Sequence, residues 1–359
     1  MIYLDYAATT PVMYEVLESL NKVTREFIAS PSSTNTYGLK SKSLLDNATK
    51  QICRLLNIEE NELTYTGSAT EANNIAIKGI AKKYQSKGKH ILVSRLEHPS
   101  VYEILKYLEK QGFKIEFVRH EANGLISFKD LKNKIRKETI LVIVNAVNGE
   151  LGIRQPLKAI RQIIKKENPD TLLHADVTQA IGKVNINLKD VDSASMSAHK
   201  FYGPKGIGIL YTNEKIQIEP LIHGNSIPPL PLIVAMSKAL RIALTDLSHK
   251  EEHVKRLNNK IINELTKETN IISNNTSYSI PHIINLSIKN IDPQVLINAL
   301  SEKEIYLDTK GFNEDVMTLY NDKERASSSI RISISHVTTV DEIERFINYF
   351  KMVYEDLLK

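Results

Sequence analysis

From about residue 14 to residue 245, short apolar runs alternate with longer amphipathic ones, and this alternation constrains the fold more than any other feature of the chain. Residues 62–66, 90–95, 115–119, 139–144, 171–175, 193–197 and 207–211 read as strands. The stretches 69–84, 100–111, 128–137 and 157–167 between them read as helices. Parallel strands need crossovers long enough to hold a helix, so the order predicts an α/β fold with a mostly parallel seven-stranded sheet between helices. Past residue 245 the pattern changes to helices over 251–269, 293–303 and 340–358 and strands over 280–288 and 330–335. That is an α+β module, so we expect a large domain over residues 12–245 and a small one formed by 1–11 and 246–359.

Composition excludes several classes. The 359 residues are 42% hydrophobic and 25% charged, as in ordinary globular chains. The net charge of +5 comes from scattered lysines with no aromatic-interleaved basic run, which argues against nucleic acid as a partner. The apolar run 140–144 is far too short for a membrane span, and no signal peptide is visible, so a cytoplasmic location is expected. Cys53 is the sole cysteine, which excludes an intramolecular disulfide; its helical apolar setting reads as core.

Chemistry concentrates in two places. Lys200 lies in Ser-Ala-His-Lys-Phe-Tyr-Gly-Pro-Lys-Gly and Asp176 in His-Ala-Asp-Val-Thr-Gln. A lysine able to form an imine and a carboxylate able to hold a pyridinium proton are what pyridoxal 5'-phosphate (PLP) asks of a protein. Asp176 ends a strand, where ligands of parallel sheets bind; its alternative is capping a helix at 178–181. Gln179 lies close enough to reach a ring hydroxyl, and His98 follows a strand where an imidazole can stack on a ring. Ser197 and His199 bracket Lys200 and suit a phosphate. Ser68, Ala69 and Thr70 open a helix after a strand, which suits a phosphate or a plain N-cap equally. The glycines at 203–208 precede a strand instead of a helix, which excludes a dinucleotide loop. His249-Lys250-Glu251-Glu252-His253 spells a zinc pattern, but its charged surroundings and lack of a third ligand read as a solvated helix face, and no metal is expected.

Taken with Leu4–Pro11, Gly67–Asn74, Glu97-His98, Val147–Gly152 and Ser328-Ser329-Ile330-Arg331, these motifs resemble the cysteine desulfurases of the NifS/IscS type, in the class V aminotransferase superfamily of PLP fold type I. The resemblance runs over almost the whole chain and implies roles. Lys200 would carry PLP, Asp176 bind the pyridine nitrogen, Gln179 contact the ring hydroxyl and His98 stack on the ring. Thr70, Ser197 and His199 would bind the phosphate, and Arg331 would clamp the substrate carboxylate with its planar fork. A homodimer is also implied.

The chain departs from that family at four places. Desulfurases carry a Ser-Ser-Gly-Ser-Ala-Cys loop before the arginine strand; here the comparable stretch is Tyr306-Leu307-Asp308-Thr309-Lys310-Gly311-Phe312, without a thiol. The family's Asn-Pro-Ser-Ser-x-His reads Ser30-Pro31-Ser32-Ser33-Thr34-Asn35. Its Asn-Asn-Glu reads Asn148-Gly149-Glu150, leaving Asn148 as the candidate substrate contact. A family loop whose threonine reaches the other subunit's phosphate is shortened to Asn225–Pro231. The expected function is therefore a PLP-dependent, cysteine desulfurase-like enzyme acting on L-cysteine or a related amino acid without a persulfide-forming cysteine. The alternative is a non-catalytic homologue that serves a desulfurase or a sulfur acceptor as partner.

Overall fold

The computed structural model describes residues 1–224 and 227–359; part of the shortened 225–231 loop, Asn225 and Ser226, lies outside the described residues. The chain opens with β1 (Ile2–Tyr3), followed by helices α1 (Tyr14–Glu26) and α2 (Thr36–Leu56). The central sheet contains β2 (Leu63–Thr66), β3 (His90–Ser94), β4 (Lys114–Val118), β5 (Thr139–Asn145), β6 (Leu172–Asp176), β7 (Ser193–Ser197) and β8 (Gly208–Thr212). Their spatial order is β2-β8-β7-β6-β5-β3-β4. β8 runs antiparallel to both β2 and β7, and the other neighbours pair in parallel. This is the expected seven-stranded, mostly parallel α/β sheet.

Helices α3 (Ala69–Tyr84), α4 (Pro99–Lys110), α5 (Phe128–Lys134), α6 (Leu157–Glu167) and α7 (Leu230–Leu244) complete this part. Strand side chains alternate between two faces, and burial follows that period. Leu92, Val142 and Val144 join Ile52, Ile160 and Ile233 of α2, α6 and α7 in one apolar cluster. The intervening Ile91, Val93, Leu141 and Ile143 join Ile77, Ile80 and Ile104 of α3 and α4 in another. Both faces are apolar, which is why the strands read as continuous hydrophobic runs.

The remaining elements are α8 (Leu247–Leu265), β9 (Ile271–Ser273), β10 (Ile283–Ile288), α9 (Pro293–Ser301), β11 (Ile305–Tyr306), α10 (Glu314–Tyr320), α11 (Lys323–Ser327), β12 (Ser329–Ser333) and α12 (Val340–Leu357). β10 lies between β12 and β9, antiparallel to each. β1 pairs in parallel with β11, and Asp5 bridges to Ser333. Ile2 and Leu4 consequently share a cluster with Val254, Leu296, Ile332 and Phe346. Local signals set several ends. Asp292 caps α9 with Pro293 at its first turn, and Thr339 and Glu342 form a capping box at α12. No helix among the described residues is long and apolar enough to cross a membrane.

Candidate active site

The topology delivers the chemistry to one edge. Asp176 is the last residue of β6 and Ser197 the last of β7, while Ser68 and His98 follow the carboxyl ends of β2 and β3. In a parallel sheet this is the edge where ligands bind. Because β8 is reversed, it brings its first residue, Gly208, to the same place. A Cβ on Gly208 would lie 2.6 Å from the Met196 carbonyl oxygen and 3.0 Å from the Ser68 carbonyl carbon, so only glycine lets the two loops meet.

A cavity of about 780 Å³ opens at this edge. Lys200, Asp176, His98 and Gln179 line it, together with Ala69, Thr70, Ser197, His199 and Asn148. A second cavity of about 940 Å³, near Arg154, Asn258 and Tyr278, contains none of them.

Lys200 ends the short helical turn Ala198–Lys200, and its Nζ donates to the carbonyl oxygens of Ala7 at 2.6 Å and Ala8 at 2.7 Å. Burial, reinforced by the nearby Arg331 charge, pushes the Lys200 amine down to about 8. Asp176 is held from two sides: Asn73 Nδ2 donates to Oδ2 at 3.0 Å and the Thr178 N–H to Oδ1 at 3.0 Å. The second bond makes an Asx turn, so 178–181 is a turn and not the helix that the capping alternative needed. His98 caps α4, its Nδ1 accepting from the Ser100 N–H at 3.1 Å. A backbone donor on Nδ1 leaves the neutral ring's proton on Nε2, and burial pushes the His98 imidazolium pKa down.

At the other end, the N-terminus of α3 supplies partial positive charge. Ser68 caps it by accepting from the Glu71 N–H at 3.2 Å, and Ser197 Oγ accepts from the Ala69 N–H at 2.6 Å. Ser68 thus performs the N-cap role and does not line the cavity, whereas Thr70 is exposed at its edge. His199 Nδ1 lies 3.1 Å from Thr9 Oγ1, and burial together with the adjacent Lys200 pushes its pKa down to about 4.

Three candidates are held by other groups. Gln179 Nε2 donates to the Ala7 carbonyl at 2.8 Å, and Gln179 Oε1 accepts from Lys183 at 3.0 Å. The Asn148 amide is saturated: Nδ2 donates to Leu96 O and Asp315 Oδ2, and Oδ1 accepts from the N–H groups of Glu150 and Leu151. No valence of Asn148 is left for a substrate. Arg331 does not line the cavity; its guanidinium is ion-paired with Asp5, Glu150 and Asp308, and the side chain is 6% exposed.

Several contributors were not singled out from the sequence. Asn73 joins Asp176 to a buried network: its Oδ1 accepts from Ser195 Oγ at 2.5 Å and lies 2.9 Å from His174 Nε2. His174 precedes Asp176 by two residues on β6, so strand periodicity gave the available signal. Burial pushes Glu97 up to about 8, Asp315 up to about 7 and Lys183 down to about 7.

The residues fit PLP. A depressed lysine and an oriented carboxylate share a cavity of suitable size with a helix N-terminus, and Thr178 Oγ1 is buried without a partner beside Asp176. Comparison with known proteins agrees. The aminotransferase class-V family model matches residues 2–228 and 227–346. Cysteine desulfurase IscS of Buchnera aphidicola is 37% identical, over 99% of this chain and 92% of that protein. The solved structure of a NifS-like protein superposes with a TM-score of 0.94 at 32% identity, covering 99% of each chain. That of SspA in complex with cysteine gives 0.80 at 29% identity, covering 94% of this chain and 100% of the other. The chain belongs to the aminotransferase class-V family, and within it is a PLP-dependent, cysteine desulfurase-like protein.

Proposed function

We propose that the protein acts on L-cysteine or a related amino acid and releases its sulfur directly, without passing it to a cysteine of its own. One observation carries this reading: Lys200, Asp176 and His98 converge on a cavity with no thiol among the described residues of its walls. The sole cysteine, Cys53, lies in α2, 4% exposed, and burial pushes its thiol up to about 11, away from the nucleophilic thiolate. The stretch 306–312, where desulfurases carry their cysteine, has none. SspA, whose structure superposes on this chain, holds cysteine as its bound molecule, which supports the choice of substrate.

In this reading Lys200 would hold PLP, Asp176 would hold the proton on the ring nitrogen, and Gln179 and His98 would contact the ring. Ala69, Thr70, Ser197 and His199 would receive the phosphate, with Ser68 capping the helix behind them. Bound there, PLP supplies an electron sink for the charge that develops at the substrate Cα. Lys200, whose burial makes the neutral amine far more accessible near neutral pH than in an ordinary lysine, takes the Cα proton at Nζ. Arg331, set behind the cavity wall, would receive the substrate carboxylate on the opening of one of its ion pairs, and Asn148 braces the loop that shapes this corner. The Cβ–S bond breaks and sulfur leaves with a proton as hydrogen sulfide. The carbon skeleton leaves as 2-aminoacrylate, which water converts to pyruvate and ammonia.

A homodimer belongs to the same reading; Tyr14 and Leu17 on α1, and Tyr37 and Leu39 on α2, expose apolar surface that association would cover. The test is product analysis with L-cysteine and no added acceptor. Sulfide and pyruvate in equal amounts are expected; alanine as the carbon product would overturn the reading.

A further inference from the structure

Arg331 carries an unusual load for a residue assigned to receive a substrate carboxylate. Its Nη1 donates to Glu150 Oε1 at 2.6 Å, and its Nη2 donates to Asp308 Oδ2 at 2.8 Å and to Asp5 Oδ1 at 3.0 Å. One buried cation already faces three carboxylates, and its one unpaired donor, Nε, is itself buried, so a fourth carboxylate finds neither an open two-donor edge nor a favourable potential until one of them withdraws.

The three are not equally free to leave. Glu150 is the most buried, with its side chain 13% exposed, and its Oε2 also accepts from Asn313 Nδ2 at 3.1 Å. Asp5 is 21% exposed and sits where the chain bridges to Ser333. Asp308 is 38% exposed, the outermost of the three. Its backbone is locked opposite Arg331 by two hydrogen bonds, of 2.8 and 3.2 Å, so only its short side chain has to turn. It also belongs to the stretch 306–312 that stands in place of the thiol-bearing loop.

We infer that Asp308 is a specificity-determining residue: its carboxylate occupies the place on Arg331 that the α-carboxylate of an amino acid must take, and binding exchanges one for the other. The inference rests on Arg331 being the carboxylate receptor, as assigned above. Because the incoming group replaces an existing ion pair, the carboxylate adds little net affinity. The site therefore distinguishes weakly between an amino acid and the amine lacking its carboxylate.

L-Alanine and ethylamine differ by that one group, and calorimetric titration of the PLP-loaded protein gives the dissociation constant of each. Asp308→Asn is expected to tighten L-alanine by about tenfold, the scale of one charge-assisted hydrogen bond discounted for exposure, while leaving ethylamine unchanged. Asp308→Ala, which removes the acceptor altogether, should move the ratio in the same direction. Arg331→Lys should abolish the preference gained in the Asp308→Asn background. If Arg331→Lys collapses the ratio but neither Asp308 variant raises it, Asp308 does not compete and the inference fails while the role of Arg331 stands. If the ratio survives Arg331→Lys and is lost in Lys310→Met, the carboxylate sits on Lys310, a cation that lines the cavity, and both the inference and the assignment of Arg331 fail.

Discussion

Burial sets the protonation states on which this site depends. Lys200 titrates near 8 because its ammonium is desolvated beside Arg331, so the neutral amine predominates above that pH. Covalent attachment of PLP to protein freed of the cofactor should therefore speed up as pH rises and level off above about 8. Borohydride trapping followed by peptide mapping checks this, and Lys200→Ala should retain no label. Glu97 is the opposite case: its Oε1 accepts from the Asn145 N–H at 2.6 Å, while its buried Oε2 has no partner. Its pKa rises from 4.5 to about 8, so the folded state binds the extra proton. The associated stability is fully present below about 4.5 and is lost as pH rises through about 8. Glu97→Gln should remove that loss, and urea unfolding at pH 5 and pH 8 should show a smaller difference in the variant than in the wild type.

At the level of elements, the cofactor edge depends on two loops that touch. Gly208→Ala places a methyl group against the Met196 carbonyl and the Ser68 backbone, and should destabilise the fold by about 1–3 kcal/mol. Since the displaced loop leads into α3, PLP should bind more weakly as well; thermal melting and cofactor titration read the two effects separately. All seven strands of the large sheet were legible in the sequence, β3 and β5 as continuous apolar runs and β4 and β7 by alternation. Helices α3 and α6 were legible to the residue, from full amphipathic turns. The stretch from β11 to α11 was not. Helices of 7 and 5 residues are too short to show a 3.6-residue period, and only their caps, Asn313 and Asp322, gave a signal. The clustering of Asp5, Glu150 and Asp308 on Arg331 was equally hidden, because it joins residues from four distant parts of the chain. Motifs exposed the candidates; the partners that saturate Asn148 and neutralise Arg331 emerge only from tertiary contacts.

For the whole molecule, we propose a division into residues 12–245 and a second unit of 1–11 with 246–359. Separate apolar clusters around Ile233 and around Phe346 support it. Sedimentation equilibrium should give twice the chain mass; a monomer at all concentrations would contradict the homodimer. The central claim is that sulfur leaves without lodging on the protein, and Cys53→Ala tests it most directly. With L-cysteine as substrate, the variant should release sulfide at the wild-type rate, and wild-type protein analysed by mass spectrometry during turnover should carry no added sulfur. An inactive Cys53→Ala variant, together with a persulfide found on Cys53 of the wild type, would contradict the account.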